Sequence, residues 1–402
     1  MRLVLVADTF PPLRTSSAVQ LRDLALEFVR QGHTLTVLLP ATGLTVPWSL
    51  EDFHGVQVLR LRAPNTKDIN YVSRTINEIL MPLAMLHNFR KTTLAKERWD
   101  GVLWYSPSIF FGLIVKSLKK ASACRGYLII RDIFPEWAAD VGLMGRGLPY
   151  RFLKAVANYQ YSVADVIGVQ SPGNEVYFEN WRQGSSRKLE VLQNWLADAH
   201  VVGCSLEIAK TPLAGRKVFV YAGNMGVAQG VGIFLDLAEK LINQSDVGFL
   251  FVGRGSDFRK LAVYAKVRGL RNVLCQDEIH PDEIPGLYSQ CRVGLIALDH
   301  RHKTHNIPGK FLTYMQNGLP VLANINLGND LAKIIKDERI GQVCESNQLN
   351  EMLILTEKLL AQIEADPDLG NRCKHLFARK FQVDIAVKQI VNALTIEHVV
   401  ET

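Results

Sequence analysis

The sequence predicts an α/β chain built from two doubly wound, mostly parallel sheets. Three observations carry this reading. Apolar runs of strand length recur along the chain, and most are followed by a segment with apolar residues at three- to four-residue spacing. A second series of the same kind begins near Lys217, after a stretch of mixed small and polar residues. The 402 residues also exceed what one hydrophobic core usually holds, since single cores stop growing at about 250–300 residues.

The elements follow in order. Residues 3–6 (LVLV) run apolar into Ala7-Asp8, the pattern of a buried parallel strand. Val19, Leu21, Leu24, Ala25, Phe28 and Val29 then share one helical face, which ends at Gln31-Gly32 with a glycine stop. Residues 35–39 form the next strand, closed by Pro40. Further strands are expected at 56–61, 101–105, 126–130 and 165–169, with helical segments between most of them. The second series predicts strands at 218–221, 247–252, 272–275, 293–297 and 320–323. Its helices are expected over 231–241, 258–267, 310–316, 329–337, 347–364 and 368–379. The predicted domains are 1–200 and 212–380, with the linker inside 195–215. Ligands of such sheets bind outside the carboxyl ends of the strands, so two facing sheets would line a cleft with strand-end loops.

Composition excludes several classes. Hydrophobic residues make up 48% and charged residues 21%, which suits neither a disordered chain nor a disulfide miniprotein. The longest apolar stretches, 79–86 and 109–115, fall far short of the ~20 residues of a membrane span. Residues 1–10 (MRLVLVADTF) lack a signal-peptide cleavage pattern. Six scattered cysteines without a CxxC pair read as reduced thiols in a cytoplasmic protein. Residues 1–200 carry 23 Lys and Arg against 17 Asp and Glu, whereas the remainder is nearly balanced. That asymmetry points either to an anionic partner or to plain solubility. Basic residues are not interleaved with aromatics in any nucleic-acid module.

Five strand-end loops hold the candidate chemistry. In the first, Thr15 and Ser16 are potential helix caps and Arg14 is a cation, which suits a phosphate, a sugar hydroxyl or a simple capped turn. The second, Arg131-Asp132-Ile133-Phe134-Pro135-Glu136-Trp137, puts two carboxylates and an arginine at a sheet edge. Asp132 there could act as a base or orient a hydroxyl; a helix-starting turn is the alternative. The third, 223–230, is Gly-rich but is not GxGxxG, which argues against nicotinamide or flavin. The fourth places Arg254 between Gly253 and Gly255, fit for a diphosphate or for solvent. The fifth, 299–310, carries three histidines and three cations before a helix. It lacks a convincing zinc set, and Gly309-Lys310 at a helix start favours an anion.

The segments RDIFPEWAADVGLM, YAGNMGVAQG, VGRGSDFRKL and PGKFLTYMQNGLPVLA stand in this order. With them, nearly the whole chain resembles family 4 glycosyltransferases, which have the glycosyltransferase B fold of two Rossmann-like domains. Within that family it is most similar to bacterial O-antigen and capsule enzymes of the L-fucosamine transferase type. The resemblance implies retaining transfer from a nucleotide sugar, UDP-linked, with an N-acetylated deoxyhexosamine as a candidate sugar. It implies a lipid-linked or nucleotide-linked acceptor, no cofactor, no obligatory metal and no nucleic-acid partner. It puts the donor on Gly223, Asn224, Gln229, Arg254, His305, Asn306, Gly309, Lys310 and Thr313. The chemistry falls to Arg131, Asp132 and Glu136, and acceptor binding to Arg14, Thr15, Ser16 and Ser17. It also implies that 381–402 form a helix packing back on the first domain.

The sequence departs from the family pattern at known places. The family's Glu–seven residues–Glu pair falls here on His305 and Thr313, and its diphosphate-binding Arg and Lys fall at or near Asn224 and Gln229. Lys310 and Arg254 are the cations that could stand in. Retention needs no protein nucleophile, because the leaving diphosphate can take the acceptor's proton on the face of attack. The protein then supplies positioning and positive charge. Two other readings stay open: an epimerase of the same architecture, and a non-catalytic homologue that partners another transferase. Finally, Ile76, Ile79, Leu80, Leu83, Met85, Leu86 and Phe89, with Pro82 among them, precede Arg90, Lys91, Lys96 and Arg98. This is either a core helix with a basic end or a peripheral face for anionic lipid.

Overall fold

The computed structural model describes residues 1–13, 15–67, 69–183, 187–198, 203–226 and 229–395. Arg14 of the expected acceptor set, and 396–402 of the expected terminal helix, lie outside the described residues. The chain divides into two compact units, residues 1–197 with 383–402, and residues 198–382. The division falls after Ala197, and Ile208 and Leu213 are buried in the second unit, so most of the expected linker belongs to that unit.

The first unit comprises β1 (Arg2–Val6), α1 (Ser16–Arg30), β2 (Thr34–Ala41), β3 (Trp48–Phe53), β4 (Val56–Arg62), α2 (Tyr71–Phe89) and β5 (Gly101–Tyr105). It continues with α3 (Gly112–Ser122), β6 (Arg125–Ile130), α4 (Glu136–Asp140), α5 (Leu148–Ser162), β7 (Val166–Val169), α6 (Glu179–Arg182) and β8 (Lys188–Val191). Its sheet order is β3-β4-β2-β1-β5-β6-β7-β8, parallel except for the β3–β4 pair. The order reverses direction between β1 and β5, which is where such sheets open a crevice.

The second unit contains β9 (Lys217–Asn224), α7 (Gly232–Lys240), β10 (Val247–Arg254), α8 (Phe258–Val267), β11 (Val273–Asp277), α9 (Ile284–Tyr288) and β12 (Val293–Ala297). Then come α10 (Gly309–Gln316), β13 (Val321–Asn324), α11 (Asp330–Asp337), β14 (Gly341–Cys344), α12 (Leu349–Ala365) and α13 (Leu369–Lys380). The order β11-β10-β9-β12-β13-β14 is all parallel, with its switch point between β9 and β12. The last helix, α14 (Val383–Thr395), returns to the first unit, where Val387, Ile390 and Leu394 join the core with Leu21, Leu24 and Phe28 of α1.

Local chemistry explains the elements. The central strands are Val-, Ile- and Leu-rich because helices cover both of their faces. The Thr15 hydroxyl accepts from the Ala18 N–H at 3.2 Å and starts α1, and Gly32, at φ +81°, lets the chain leave it. Three strands are absent from the sequence reading: β3, β8 and β14. All three lie at sheet edges, where half-exposed or short segments such as WSLEDF and KLEV carry no apolar run.

Candidate functional site

In the second unit the site grows from the ends of β9 and β10. Gly223 and Gly253 are register partners, and a Cβ on Gly253 (φ +148°) would lie 2.0 Å from the Gly223 carbonyl oxygen. A Cβ on Gly255 would lie 2.3 Å from the Met225 carbonyl oxygen. These two glycines are therefore required by backbone packing between loops, before any ligand is considered. The Met225 N–H donates to the Arg254 carbonyl at 2.7 Å, and the Gln229 Oε1 accepts from Asn224 Nδ2 (3.1 Å) and from the Gly226 N–H (3.0 Å). Gln229 thus closes its own loop. Gly223 and Asn224 remain exposed at the strand tip.

Beside that tip lies Lys310, in the first turn of α10. Its ammonium sits 4.5 Å from the centroid of the Tyr221 ring. Its Cε would be 3.8 Å from a Cβ at Gly223. The helix N-cap is Pro308, and no side chain caps that end. The site therefore joins a half-buried cation, an aromatic platform and the N-terminus of a helix at the end of β9, next to the switch point.

The other expected donor residues are placed differently. Arg254 makes a two-point ion pair with Glu278, through Nη1 (3.2 Å) and Nε (3.1 Å), so this cation is already engaged. His305 faces the start of α11: its Nδ1 accepts from the Asp330 N–H at 3.3 Å and stands 3.1 Å from the Asp330 carboxylate. The Thr313 hydroxyl donates to the Gly309 carbonyl at 3.3 Å, within its own helix. Asn306 is half-buried. In the same loop Arg301 forks onto Asp299 at 2.8 and 2.7 Å, and these bonds hold the Asp299 carboxyl below the usual range. A cavity of about 390 Å³ opens beside Gly230, Asp236, Asp299, His300, Asn324 and Asn347, and none of the expected donor residues lines it. Among the described residues no cluster of three His, Cys, Asp or Glu stands at metal-holding separation.

In the first unit Arg131 and Asp132 follow β6. Arg131 Nη1 donates to Gln20 Oε1 at 2.6 Å and to Asn194 Oδ1, while the Arg131 carbonyl accepts from Gln170 Nε2 at 2.7 Å. The Tyr105 hydroxyl also reaches Gln20, at 3.3 Å. The Asp132 carbonyl accepts from the Ser106 hydroxyl at 2.9 Å, and Asp132 itself is half-buried. Glu136 is buried and ion-paired with Lys154, tying α4 to α5. Thr15 caps α1, Ser16 is exposed and Ser17 is half-buried. The sequence reading passed over Gln20, Gln170 and Asn194, whose partners lie 39 to 111 residues away, and Glu278 and Tyr221. Asp8 is a further carboxylate that the loop sequence does not single out. Asp8 lies just past β1 at the switch point, and burial pushes its carboxyl up while Lys67 and Arg74 pull it down less strongly.

Residues 216–362 match the family model described as glycosyl transferases group 1. That match lies within the second unit. Together with the relatives named as glycosyltransferases, it supports a glycosyltransferase. The chain is 23% identical over 351 residues, 86% of each chain, to the Pseudomonas aeruginosa protein named "Probable glycosyltransferase WbjE". It is also 23% identical to the Escherichia coli (strain K12) protein "Putative colanic acid biosynthesis glycosyl transferase WcaI", over 63% of this chain and 62% of that one. Among solved structures, Anabaena Alr3699/HepE in complex with UDP and glucose superposes with a TM-score of 0.69 at 15% identity, covering 98% of this chain and 99% of that one. The fold is the glycosyltransferase B fold, as the resemblance implied.

Proposed function

We propose that this transferase takes a sugar from a nucleotide-diphosphate donor, UDP-linked, and passes it with retention to a lipid-linked or nucleotide-linked acceptor in surface-polysaccharide assembly. One observation carries the donor assignment: Lys310, steadied over Tyr221, meets the uncapped start of α10 at the end of β9. A diphosphate finds there both a cation and the positive end of a helix, and the departing diphosphate is where charge develops during transfer. UDP in the HepE structure supports the nucleotide, and the colanic acid wording of the Escherichia coli relative supports the pathway class. An N-acetylated deoxyhexosamine is the sugar we favour. Asp132 serves the acceptor or the transferred sugar as base or orienter, with Arg131 held by Gln20 and Asn194 as its rigid neighbour.

A panel of UDP-, GDP- and dTDP-sugars, assayed for slow donor hydrolysis and for binding, tests this reading. Turnover confined to UDP-sugars is expected; binding of none of the panel would refute it. A second reading, a non-catalytic partner of another transferase, draws on His305 and Thr313. Neither side chain carries a carboxylate for a donor ribose, and His305 is turned to Asp330 while Thr313 bonds its own helix. UDP binding without hydrolysis of any sugar nucleotide, or transfer from it, would favour that alternative.

A further inference from the structure

We propose that the second unit binds a saccharide between the starts of α7 and α12, at a site separate from the proposed diphosphate site. The place is the cavity of about 390 Å³ at the carboxyl ends of β12 and β13. That volume falls within the range of about 300–1,000 Å³ usual for small-molecule sites. None of the residues assigned to the donor lines it. The helices around it also differ. A Cβ on Gly294 of β12 would lie 2.5 Å from the Tyr314 ring, so α10 covers that side of the strand. Its neighbours Val293 and Leu295 share a core cluster with Phe234 and Leu237 of α7 and with Met352 and Leu359 of α12. Successive strand residues point to opposite faces, so α7 and α12 lie across the sheet from α10.

The observation that calls for a ligand is Asn324, the last residue of β13. It lines the cavity and is only 2% exposed. Its Nδ2 donates to Asn347 Oδ1 at 2.8 Å, which fixes the end of the amide that is spent. The other end, Oδ1, is covered and has no hydrogen-bond partner among the described residues. A buried amide oxygen left so is costly, and a ligand hydroxyl donating to it removes the cost.

The remaining walls decide the chemical class. Gly232 and Ile233 open α7 and Leu349 opens α12; all three line the cavity, and neither helix start has a side-chain cap. Two positive helix ends therefore meet there, which disfavours a bare cation. The carboxylates of Asp236 and Asp299 line the same space, which disfavours a bare anion. Asp299 is engaged by Arg301, whereas Asp236 is exposed and takes only a 3.4 Å contact from the Tyr264 hydroxyl, whose shorter bond goes to Glu239 at 2.8 Å. A sugar hydroxyl both donates and accepts, so it can serve the acceptors Asn324 and Asp236 and the helix starts together. Ile233, Leu298 and Leu349 supply an apolar wall for the C–H face of the ring.

The test makes no use of Lys310, so it stands apart from the donor reading. Saturation-transfer NMR is run on the full chain with the methyl glycosides of glucose, N-acetylglucosamine and fucose. At least one should receive saturation, and neither saturating UDP nor inorganic phosphate should displace it. Asp236→Ala, at an exposed position, and Ile233→Trp, which fills the cavity, should each weaken that binding about tenfold or more. Asn324→Leu, which keeps the bulk and removes the amide, should do the same. Titration calorimetry should find UDP affinity unchanged in Asp236→Ala and Ile233→Trp. No saturation of any glycoside would overturn the proposal, as would binding that survives both Asp236→Ala and Ile233→Trp. Displacement by UDP would move the sugar to the donor site, and displacement by phosphate would make the cavity an anion site; either result also overturns it.

Discussion

Removing the Lys310 ammonium while keeping its stem isolates the contact on which the donor assignment stands. In Lys310→Met the methionine still packs on Tyr221, and the start of α10 keeps its N–H groups. What is lost is a charged hydrogen bond to the diphosphate, worth about 1.5–3 kcal/mol. That corresponds to a UDP dissociation constant roughly 10- to 150-fold higher. Arg254 behaves differently, because to reach a phosphate it must leave Glu278. An exposed ion pair of this kind is worth about 0–1 kcal/mol, so Arg254→Met should cost less than Lys310→Met, about 0.5–2 kcal/mol. Glu278→Gln then frees the guanidinium and should tighten UDP by up to about fivefold. Titration calorimetry at fixed ionic strength reads all three. Unchanged affinity in Lys310→Met would refute the reasoning, and an unchanged or weaker affinity in Glu278→Gln would remove the competition argument.

Other outcomes follow from the same geometry. Asp132→Asn should lower turnover and leave UDP affinity intact, since Asp132 belongs to the first unit and the proposed diphosphate site to the second; wild-type turnover would take Asp132 out of the proposed mechanism. Gly253→Ala drives a Cβ to 2.0 Å from the Gly223 carbonyl at φ +148° and should cost about 2–4 kcal/mol in the denaturant unfolding of the second unit. Gly223→Ala meets nothing nearer than Lys310 Cε at 3.8 Å and should cost less, so equal midpoints in the two variants would contradict this account. Asp8→Asn should raise the melting temperature at neutral pH. Burial raises the folded-state pKa of Asp8, so stability falls as pH rises from the unfolded-state value through the folded one, and that loss persists above it. The gain from Asn should therefore vanish below about pH 4, where both states hold the proton; a gain that does not change with pH would indicate another cause.

The sequence by itself determined the alternation of buried strands and helices, and the chain order of the loops at the strand ends. Both are local properties: a run such as LVLV, or apolar residues spaced as in α1, states its own burial. Lys310 was legible for the same reason, as a cation in the first turn of a helix. The edge strands β3, β8 and β14 were not, because a strand paired on one side needs no apolar run. Tertiary structure alone decided which polar groups are already engaged. Arg254 meets Glu278 across 24 residues, Arg131 meets Gln20 across 111, and Glu136 is neutralised by Lys154 from the next helix. It also decided that Gly253 and Gly255 serve backbone contact, and that the apolar positions of α2 divide between core and surface. A side chain's type limits what it can bond, but whether it is already bonded depends on residues brought near it only by the closing of the sheets.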